Sequence, residues 1–443
     1  MKWVVYNLLF AAVYPLLLPG FLVRMLRRGG YAARMGDRFA LYPDDVRAAL
    51  GRPGSQFVWI HAVSVGEVQV AGQLMREWRA AEPGVRFCFS TTSSTGWKMA
   101  EREVAAGDVL IYNPIDFPNF VKSALKTVRP RAVVLTESEI WPNFILRAKR
   151  MGIPLFLVNA RVSDRSAPRY RKGRFFFADV FGCFTRIFAQ SDLDRDRLVA
   201  AGAPEGIVDV TGSFKFDVAK RNEAKERELE KWVFGESGRA GARPCKVLLG
   251  GSTWPGEDEV LLKIYKTLLA APGQDVRLVL APRHFEKADA VEANIAAAGF
   301  SCVRRSAPMP ASPKIQQSNN PTIQQFPVYL ADTTGELMGL YGIADAVFVG
   351  KSLCAHGSQN MIEPCLCGKP TFVGPYTENF RPVMSDLLAS GAIVQVADAA
   401  ELESRIASCL VDDGGLGERA RAAVESRCGV VARCLASIRK ALA

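Results

Sequence analysis

The chain has 443 residues, 49% of them hydrophobic and 23% charged, so it can bury a large core in two or three domains, of which we favour two. Its ten cysteines are scattered and it has three histidines, which excludes a zinc site of the C-x-x-C…H-x-x-H kind and fits a reducing compartment. Its 56 basic and 45 acidic residues give a net charge of +11, which predicts an anionic partner: nucleic acid, an acidic membrane surface or a phosphorylated substrate.

The first predicted element is an apolar anchor over residues 1–30. Trp3 to Val23 carries no charge and is close to the ~20 residues that cross a bilayer, so we expect it to reach the membrane. Lys2 precedes the run and three arginines follow it, at Arg24, Arg27 and Arg28, so the positive-inside rule places the rest of the chain in the cytoplasm. A cleaved signal peptide is the alternative, although no small-x-small cleavage site follows. Two prolines, Pro15 and Pro19, leave a partly inserted segment open beside a true span.

Apolar runs of strand length then alternate with helical stretches, which predicts parallel, doubly wound sheets. The first seven runs are Phe57–Ala62, Arg86–Thr92, Val109–Tyr112, Ala132–Thr136, Pro154–Asn159, Arg186–Gln190 and Val208–Thr211. After a charged stretch, Lys220 to Arg243, six more follow: Lys246–Gly250, Val276–Ala281, Val328–Ala331, Ala346–Gly350, Pro370–Gly374 and Ile393–Val396. We therefore expect two Rossmann-like domains, over residues 31–213 and 214–443.

The segment from Arg304 to Pro327 differs from its surroundings. It is rich in Ser, Pro, Gln and Asn, and Ile-Gln-Gln occurs in it twice. Such a composition cannot bury a core, so we interpret residues 304–327 as a surface insertion without catalytic residues.

Two Rossmann-like domains facing a cleft favour the GT-B architecture of the α/β class. In open α/β sheets, ligands bind beyond the carboxyl ends of the strands. Candidate site residues are therefore sought where the predicted strands end.

The first candidate is Glu67, in Ser64-Val-Gly-Glu67 after the first strand. The pattern S-x-x-E at a strand-to-helix junction is typical of a capping box, which would be a structural role. Alternatively, Glu67 is a general base, with Gly66 leaving room for an acceptor.

Glu137 and Glu139 follow the fourth strand, ahead of Trp141-Pro142. Alternation along an extended chain would send both carboxylates in similar directions. They are either acids at a helix start, favoured by the macrodipole, or a pair that organises Lys215 and supports positive charge in a transition state.

A basic segment, residues 161–174, contains six basic residues: Arg161, Arg165, Arg169, Arg171, Lys172 and Arg174. It is either a solvated loop or a phosphate-binding surface near the anchor, because arginine forks match phosphate oxygens. Nearby, Asp192-Leu-Asp194 has the D-x-D form of some metal sites, but Ser191 followed by acids is accounted for as an N-cap and first helical turn.

Four glycine-bearing or helix-start motifs in the second half together predict a nucleotide pocket, because such turns bind phosphate. They are the turn at 250–253, Pro282-Arg283, Gly335-Glu336-Leu337, and the stretch 357–364 with Asn360-Met361-Ile362-Glu363. Arg283 can bind a phosphate and Glu363 can accept both ribose hydroxyls, although packing and capping account for each motif alone.

Taken in order, these motifs resemble the Kdo (3-deoxy-D-manno-octulosonic acid) transferases of lipopolysaccharide synthesis, from the anchor to about residue 400. The matching stretches are His61-Ala-Val-Ser-Val-Gly-Glu67, Glu137-Ser-Glu139-Ile-Trp-Pro-Asn143, Asn159-Ala-Arg161-Val-Ser-Asp-Arg165-Ser, Gly212-Ser-Phe-Lys215-Phe-Asp217, Gly251-Ser-Thr253, Pro282-Arg283-His284 and Asn360-x-x-Glu363-Pro364.

The resemblance implies a GT-B enzyme that transfers Kdo from CMP-Kdo to a lipid A precursor with inversion, without a metal or cofactor, at the cytoplasmic face of the bacterial inner membrane. It implies Glu67 as the base, one of Glu137 and Glu139 together with Lys215 as transition-state stabilisers, and no nucleic-acid partner. It implies that CMP is held by Pro282, Arg283, Gly335, Glu336, Leu337, Asn360, Met361, Ile362 and Glu363. Arg161 and Arg165 are our candidates for the acceptor phosphate. The alternatives are another GT-B nucleotide-sugar enzyme, such as a 2-epimerase, and a non-catalytic lipid-binding membrane protein.

Overall fold

The structure is a computed structural model that describes residues 2–28, 32–52, 56–218, 221–235, 239, 245–271, 275–307 and 327–443. The chain divides into two units. Unit 1 comprises Met1–Val218 and Gly429–Ala443, and unit 2 comprises Ala219–Cys428. Unit 1 therefore extends beyond the predicted boundary at residue 213 and includes the last segment of the chain.

Unit 1 is built around a parallel sheet in the order β3-β2-β1-β4-β5-β6-β7. Its strands are β1 Phe57–His61, β2 Arg86–Thr91, β3 Val109–Tyr112, β4 Ala132–Thr136, β5 Leu155–Ala160, β6 Arg186–Ala189 and β7 Val208–Val210. Every residue of β1, β4 and β5 is buried, which explains their continuous apolar runs. The strand order reverses between β1 and β4, so the carboxyl ends of these two strands border the switch point.

Helices join the strands of unit 1. They are α1 Lys2–Arg28, α2 Asp44–Leu50, α3 Val65–Ala81, α4 Ser94–Ala100, α5 Pro118–Val128, α6 Pro142–Arg150, α7 Ala167–Lys172, α8 Arg174–Phe181, α9 Asp192–Ala200 and α10 Lys215–Val218. Two 3-10 helices cover Ala32–Phe39 and Glu205–Ile207.

Unit 2 has a second parallel sheet, in the order β10-β11-β9-β8-β12-β13-β14. Its strands are β8 Lys246–Thr253, β9 Val276–Pro282, β10 Cys302–Arg304, β11 Val328–Leu330, β12 Ala346–Val349, β13 Thr371–Val373 and β14 Val394–Gln395. The prediction of two Rossmann-like parallel sheets is confirmed. Strand β10 was not predicted, because its three residues are only half-buried and lie at the sheet edge.

Helices of unit 2 alternate with its strands. They are α11 Glu223–Phe234, α12 Glu257–Ala270, α13 Ala288–Ala297, α14 Leu337–Ile343, α15 Ile362–Leu366, α16 Arg381–Ala389, α17 Ala399–Val411 and α18 Leu416–Glu425, with 3-10 helices at Phe285–Lys287 and Glu378–Phe380. Residues 308–326, most of the predicted insertion at 304–327, lie outside the described residues.

The final helix, α19 (Val430–Leu442), belongs to unit 1. The Asp217 carboxylate accepts hydrogen bonds from the backbone N–H groups of Gly429 (2.6 Å) and Val431 (2.7 Å), which fixes the start of α19. Its apolar face is buried in the core cluster that includes β1 and α3. The residues of 214–443 that the sequence assigned to the second domain are thus divided between the two units.

One side of helix α1 packs on the rest of unit 1. Trp3 and Tyr6 contact Phe176, and Phe10 contacts Phe117, with ring centroids 4.5–5.5 Å apart. The opposite side is apolar and exposed, comprising Val4, Val5, Leu8, Leu9, Val13 and Leu16. Among the described residues, neither α1 nor any other helix combines the length and apolarity required to cross a membrane.

Candidate active site

Glu67 lies on α3, at the switch point of unit 1, and its side chain is 9% exposed. The capping box is present: Ser64 Oγ accepts from Glu67 N (3.2 Å), and Glu67 Oε1 accepts from Ser64 N (3.4 Å) and Ser64 Oγ (2.7 Å). Glu67 Oε2 accepts from Val63 N (3.1 Å) and from the hydroxyl of Thr136, at the end of β4 (3.1 Å). The carboxylate therefore does more than cap a helix, because it also joins the ends of the two strands at the switch point.

Glu137 follows β4 and has a left-handed backbone with φ of 50°. Its Oε1 accepts from Asn159 Nδ2 (3.3 Å), and Asn159 Oδ1 accepts from Phe214 N (3.0 Å), so one buried amide connects Glu137 to the segment that carries Lys215. Burial raises the pKa of Glu137, and the positive charges of Lys215 and Arg161 partly offset that rise. Burial lowers the pKa of Lys215, and the Glu137 carboxylate opposes this. The structure thus brings Glu137 and Lys215 together, and both lie in unit 1 although the predicted boundary separated them.

Glu139 has different partners from Glu137. Its Oε2 accepts from Trp141 Nε1 (2.9 Å) and lies 3.5 Å from Nε2 of the fully buried His61. His61 Nδ1 lies 3.0 Å from the carbonyl oxygen and 2.9 Å from the hydroxyl of Ser90, and Nε2 faces the Glu139 carboxylate. Helix α6 begins at Pro142 without an acid in its first turn, so the alternative that Glu137 and Glu139 are helix-start acids is wrong.

The basic segment is divided by exposure. Arg161 is half-buried and its charge acts on Glu137 and Lys215, whereas the guanidinium of Arg165 is exposed. The remaining basic residues of 161–174 are exposed on or beside α7. Lys2, at the start of α1, donates to the carbonyl of Phe175 just beyond the segment (2.9 Å), so the basic residues lie beside α1.

The Asp192-Leu-Asp194 motif forms the first turn of α9, which Ser191 caps. Ser191 Oγ accepts from Asp194 N (3.2 Å), and Asp194 Oδ1 accepts from Val162 N (2.8 Å), so the interpretation as an N-cap and first turn is confirmed. The side chain of Asp192 is exposed and pairs with Arg195. Within the described part of the chain, no three His, Cys, Asp or Glu side chains are grouped as metal ligands.

In unit 2, the predicted nucleotide-binding residues fall at several loops. Arg283 follows β9 with an exposed side chain, and Gly335 has φ of 83° just ahead of α14. Asn360 Nδ2 donates to Glu363 Oε1 (3.0 Å), and burial raises the pKa of Glu363. These groups are available for phosphate and hydroxyl contacts.

Five of the predicted nucleotide-binding residues offer fewer side-chain contacts to a ligand. The side chains of Met361 and Ile362 are fully buried, so they could contact a ligand only through the backbone. Glu336 pairs with Lys225 (2.6 Å) and Arg305 (3.0 Å). Burial opposes these bonds, but they prevail and lower the pKa of Glu336 to about 2. Leu337 begins α14 and Pro282 ends β9, without a polar side chain to offer.

Glu257, which the sequence did not single out, occupies a ring of backbone donors at the switch point of unit 2. Its carboxylate accepts from Trp254 N (2.8 Å), Lys351 N (2.8 Å), Ser352 N (3.0 Å) and Leu353 N (3.0 Å). Such successive N–H groups commonly bind phosphate. Here the protein's own carboxylate fills them, so these N–H groups have a structural role.

Asp116 is a buried carboxylate that links α1 to the sheet. It accepts from Tyr6 Oη (3.1 Å) and from the backbone N–H groups of Asn143 (3.0 Å) and Phe144 (2.9 Å) at the start of α6. Burial raises the pKa of Asp116 to about 7 despite these bonds. Asp116 follows β3 closely along the chain, but only the fold shows that Tyr6 of α1 contacts it.

We expect Asp116→Asn to flatten the pH dependence of stability. A carboxyl whose pKa is higher in the folded state stabilises the fold fully below about pH 4, the unfolded value, and loses that contribution as the pH rises to about 7. The wild type should lose up to about 1.4 kcal/mol per pH unit in this window. The Asp116→Asn variant should be less stable than the wild type at low pH, because the asparagine N–H would face the backbone N–H of Asn143 or Phe144. Its free energy of unfolding should not show this slope with pH. Urea unfolding from pH 4 to 8 measures it, and parallel curves for the two proteins would contradict it.

Comparison with known proteins agrees with the resemblance stated from the sequence. Residues 33–218 match the family model of the 3-deoxy-D-manno-octulosonic-acid transferases (kdotransferase). A 3-deoxy-D-manno-octulosonic acid transferase of Bordetella pertussis is 33% identical over 446 residues, covering 97% of each chain. The corresponding transferase of Haemophilus influenzae is 29% identical over 414 residues, covering 94% of this chain and 92% of that one.

A solved structure supports the fold. The UDP-GlcNAc 2-epimerase from Neisseria meningitidis, bound to UDP-GlcNAc, is 14% identical with a TM-score of 0.57, covering 87% of this chain and 99% of that chain. At this identity the similarity concerns the architecture alone. The similarity over nearly the whole length of the Bordetella transferase goes further, and it shows that the chain belongs to the Kdo transferase family.

Proposed function

We propose that this protein transfers Kdo from CMP-Kdo to a lipid A precursor in lipopolysaccharide biosynthesis, with inversion and without a metal. The observation that carries this proposal is the full-length similarity to Kdo transferases. The cluster of carboxylates and an ammonium at the β1/β4 switch point of unit 1 supports it, because glycosyl transfer without a metal needs both kinds of group.

In this mechanism Glu67 is the general base that takes the proton of the acceptor hydroxyl. The C–O bond to the CMP phosphate breaks as the acceptor oxygen bonds the ketosidic carbon, and positive charge develops on the sugar. In this proposal one of Glu137 and Glu139 stabilises that charge, and Lys215 offsets the charge of the leaving phosphate. Arg161 and Arg165 are our candidates for binding the acceptor's phosphate.

We assign the CMP site to unit 2. Arg283, Asn360 and Glu363 offer side chains for the phosphate and the ribose hydroxyls, and Gly335 offers a backbone turn without a side chain in the way. Met361, Ile362 and the neighbouring backbone would contribute main-chain contacts.

A transfer assay tests the whole proposal. The full-length protein is incubated with CMP-Kdo and a tetra-acylated lipid A precursor, with and without excess EDTA, and the lipid is weighed by mass spectrometry. Addition of a Kdo unit in both samples is the expected result. If the lipid were unchanged but the nucleotide sugar altered, the protein would be a 2-epimerase. If the lipid were unchanged but bound to the protein, the protein would be a lipid-binding protein. Loss of transfer in EDTA that magnesium or manganese restores would overturn the metal-free mechanism.

We further propose that α1 attaches the protein to the cytoplasmic face of the inner membrane. The exposed apolar side of α1 and the 72% exposed ring of Phe175 lie beside the basic segment, a combination that suits an interface with anionic lipid. The other side of α1 is occupied by its contacts with unit 1. If α1 lies along the membrane surface, its exposed apolar side faces the lipid and its aromatic side keeps its contacts with the rest of unit 1.

Charges on the exposed side of α1 should release the protein from membranes. Leu9 and Leu16 are 60% and 78% exposed, so Leu9→Glu with Leu16→Glu should leave the fold intact. Burying a leucine contributes about 1.5–3 kcal/mol, so partition onto anionic vesicles should fall by roughly 100-fold. The matched control places two charges on exposed apolar residues of unit 2, Val411→Glu with Leu388→Glu, which should bind as the wild type does in vesicle sedimentation. Equal sedimentation of the α1 variant would contradict the proposal.

A further inference from the structure

The hydroxyl of Thr136 faces two acceptors, although it carries one hydrogen. Thr136 Oγ1 lies 3.0 Å from the backbone carbonyl oxygen of His61 and 3.1 Å from Glu67 Oε2. Its side chain is fully buried, so water does not compete for it. The hydrogen can satisfy only one of these oxygens at a time.

The other groups on the Glu67 carboxylate differ in what they can do when a proton arrives. The backbone N–H groups of Val63 and Ser64 can only donate. The Ser64 hydroxyl is at the surface and can turn to solvent. Of the two groups bonded to Oε2, Val63 N and Thr136 Oγ1, Thr136 is the one that can change from donor to acceptor.

We propose that Thr136 is a positioning residue for the base: its hydroxyl reverses direction when Glu67 gains a proton. While Glu67 is ionised, Thr136 O–H donates to Oε2. When the acceptor's proton resides on Oε2, the carboxyl O–H donates to Thr136 Oγ1, and the Thr136 hydrogen turns to the carbonyl of His61. Thr136 Oγ1 and Glu67 Oε2 are then hydrogen-bonded to each other in both protonation states, so the transfer leaves neither of them unsatisfied.

Other charged groups near this set act on Glu67 from neighbouring elements. The charge of Glu137, at the exit of β4, interacts with Glu67, and Glu137 in turn feels Lys215, Arg161 and Glu139. His61 contributes only its backbone carbonyl to Thr136, while its ring faces Glu139. A substitution of Thr136 leaves all of these charged groups in place. A change in the pH profile of a Thr136 variant can therefore be attributed to the lost hydroxyl.

The inference rests on Glu67 being the base, and Thr136→Val with Thr136→Ser tests it. Valine keeps the shape but removes the hydroxyl, so the ionised carboxylate loses a donor and the protonated one loses an acceptor. A hydrogen bond to the charged carboxylate is stronger than one from the neutral acid, so we expect the acidic limb of the kcat profile to move up by about one pH unit and the plateau to fall roughly tenfold. Serine restores the hydroxyl, so Thr136→Ser should return the acidic limb and the plateau close to their wild-type values. If the valine variant does not fold, Thr136→Ala makes the same comparison.

Two further variants make the outcome decisive. Thr371 is an equally buried threonine of β13 whose hydroxyl donates to the carbonyl of Lys369 (2.8 Å), so Thr371→Val removes a hydroxyl that bonds a backbone carbonyl and should leave the pH limb unchanged. In a Glu67→Gln background, Thr136→Val should add little further loss of rate. The role of Thr136 would be overturned if Thr136→Val had an unchanged pH limb and plateau, or if Thr136→Ser were as impaired as Thr136→Val. In either case, slow turnover of Glu67→Gln would still support Glu67 as the base. Normal turnover in Glu67→Gln would instead remove the base itself.

Discussion

Glu67→Gln is expected to lower turnover by roughly 10²- to 10⁴-fold, the contribution usual for a general base. Glutamine has almost the same shape as glutamate, but its amide cannot take the proton of the acceptor hydroxyl. The affinity for CMP should be unchanged, because we assign the nucleotide to unit 2. Turnover at saturating substrates and CMP binding are the two measurements.

The same variant should also lose stability, and the structure shows why. The carboxylate accepts from four donors, two at each oxygen, whereas a glutamine side chain offers one oxygen and would turn an N–H toward the backbone N–H of Val63 or Ser64. An unsatisfied buried donor costs about 1–3 kcal/mol, so the melting temperature should fall. Turnover must therefore be measured on the folded fraction.

A capped helix elsewhere in unit 1 separates lost stability from lost chemistry. Ser191 Oγ caps α9 by accepting from Asp194 N, as Ser64 caps α3. Ser191→Ala should cost about 0.5–2 kcal/mol and leave turnover close to that of the wild type. If Glu67→Gln behaved like Ser191→Ala, with normal turnover below its melting temperature, Glu67 would be a cap only and the base would have to be sought among Glu137, Glu139 and Asp116.

Lys215→Met should reduce turnover by roughly 10²- to 10³-fold, the usual loss when a group that stabilises developing charge is removed. The ammonium is held close to Glu137 by the segment that Asn159 fixes through Phe214 N. Methionine has a similar length and no charge, so the lost rate reports the charge. Lys149→Met, at an exposed lysine on α6, is the matched control and should have normal turnover.

The lowered pKa of Lys215 leads to a prediction of how activity changes at alkaline pH. Burial lowers the pKa of Lys215, so the ammonium should lose its proton below the usual pH for lysine, and turnover should fall as the pH rises through that value. Lys215→Arg, whose guanidinium stays protonated, should retain activity to higher pH if its geometry is tolerated. A Lys215→Met enzyme with normal turnover and the wild-type alkaline limb would contradict a role for this charge.

The sequence by itself determined most of the secondary structure. Runs such as Phe57–Ala62 and Ala132–Thr136 are apolar throughout because strands covered by helices on both faces bury every side chain. Strand β10 gave no such signal, because Cys302–Arg304 is short and half-buried at an edge. The chemical types at the strand exits, Glu67, Glu137 and Lys215, were also evident from the sequence.

The placement of the final helix was decided by tertiary structure. The sequence of α19 has an apolar face, but periodicity does not say which surface that face covers. Asp217 accepts from two backbone N–H groups at its start, more than 200 residues away along the chain, and these bonds attach the helix to unit 1. Chain order had assigned it to the second domain.

The working arrangement of the site was likewise a tertiary result. The sequence left Glu67 open as a cap or a base, and the fold shows that its carboxylate caps α3 and also accepts from Thr136, because β1 and β4 lie side by side. Thr136 reaches Glu67 and His61, which precede it by 69 and 75 residues, and Asn159 joins Glu137 to Phe214 across three strand exits. Patterns in a sequence report neighbours within a turn of helix or along a strand, whereas these hydrogen bonds exist only because a parallel sheet brings distant strand ends to one edge.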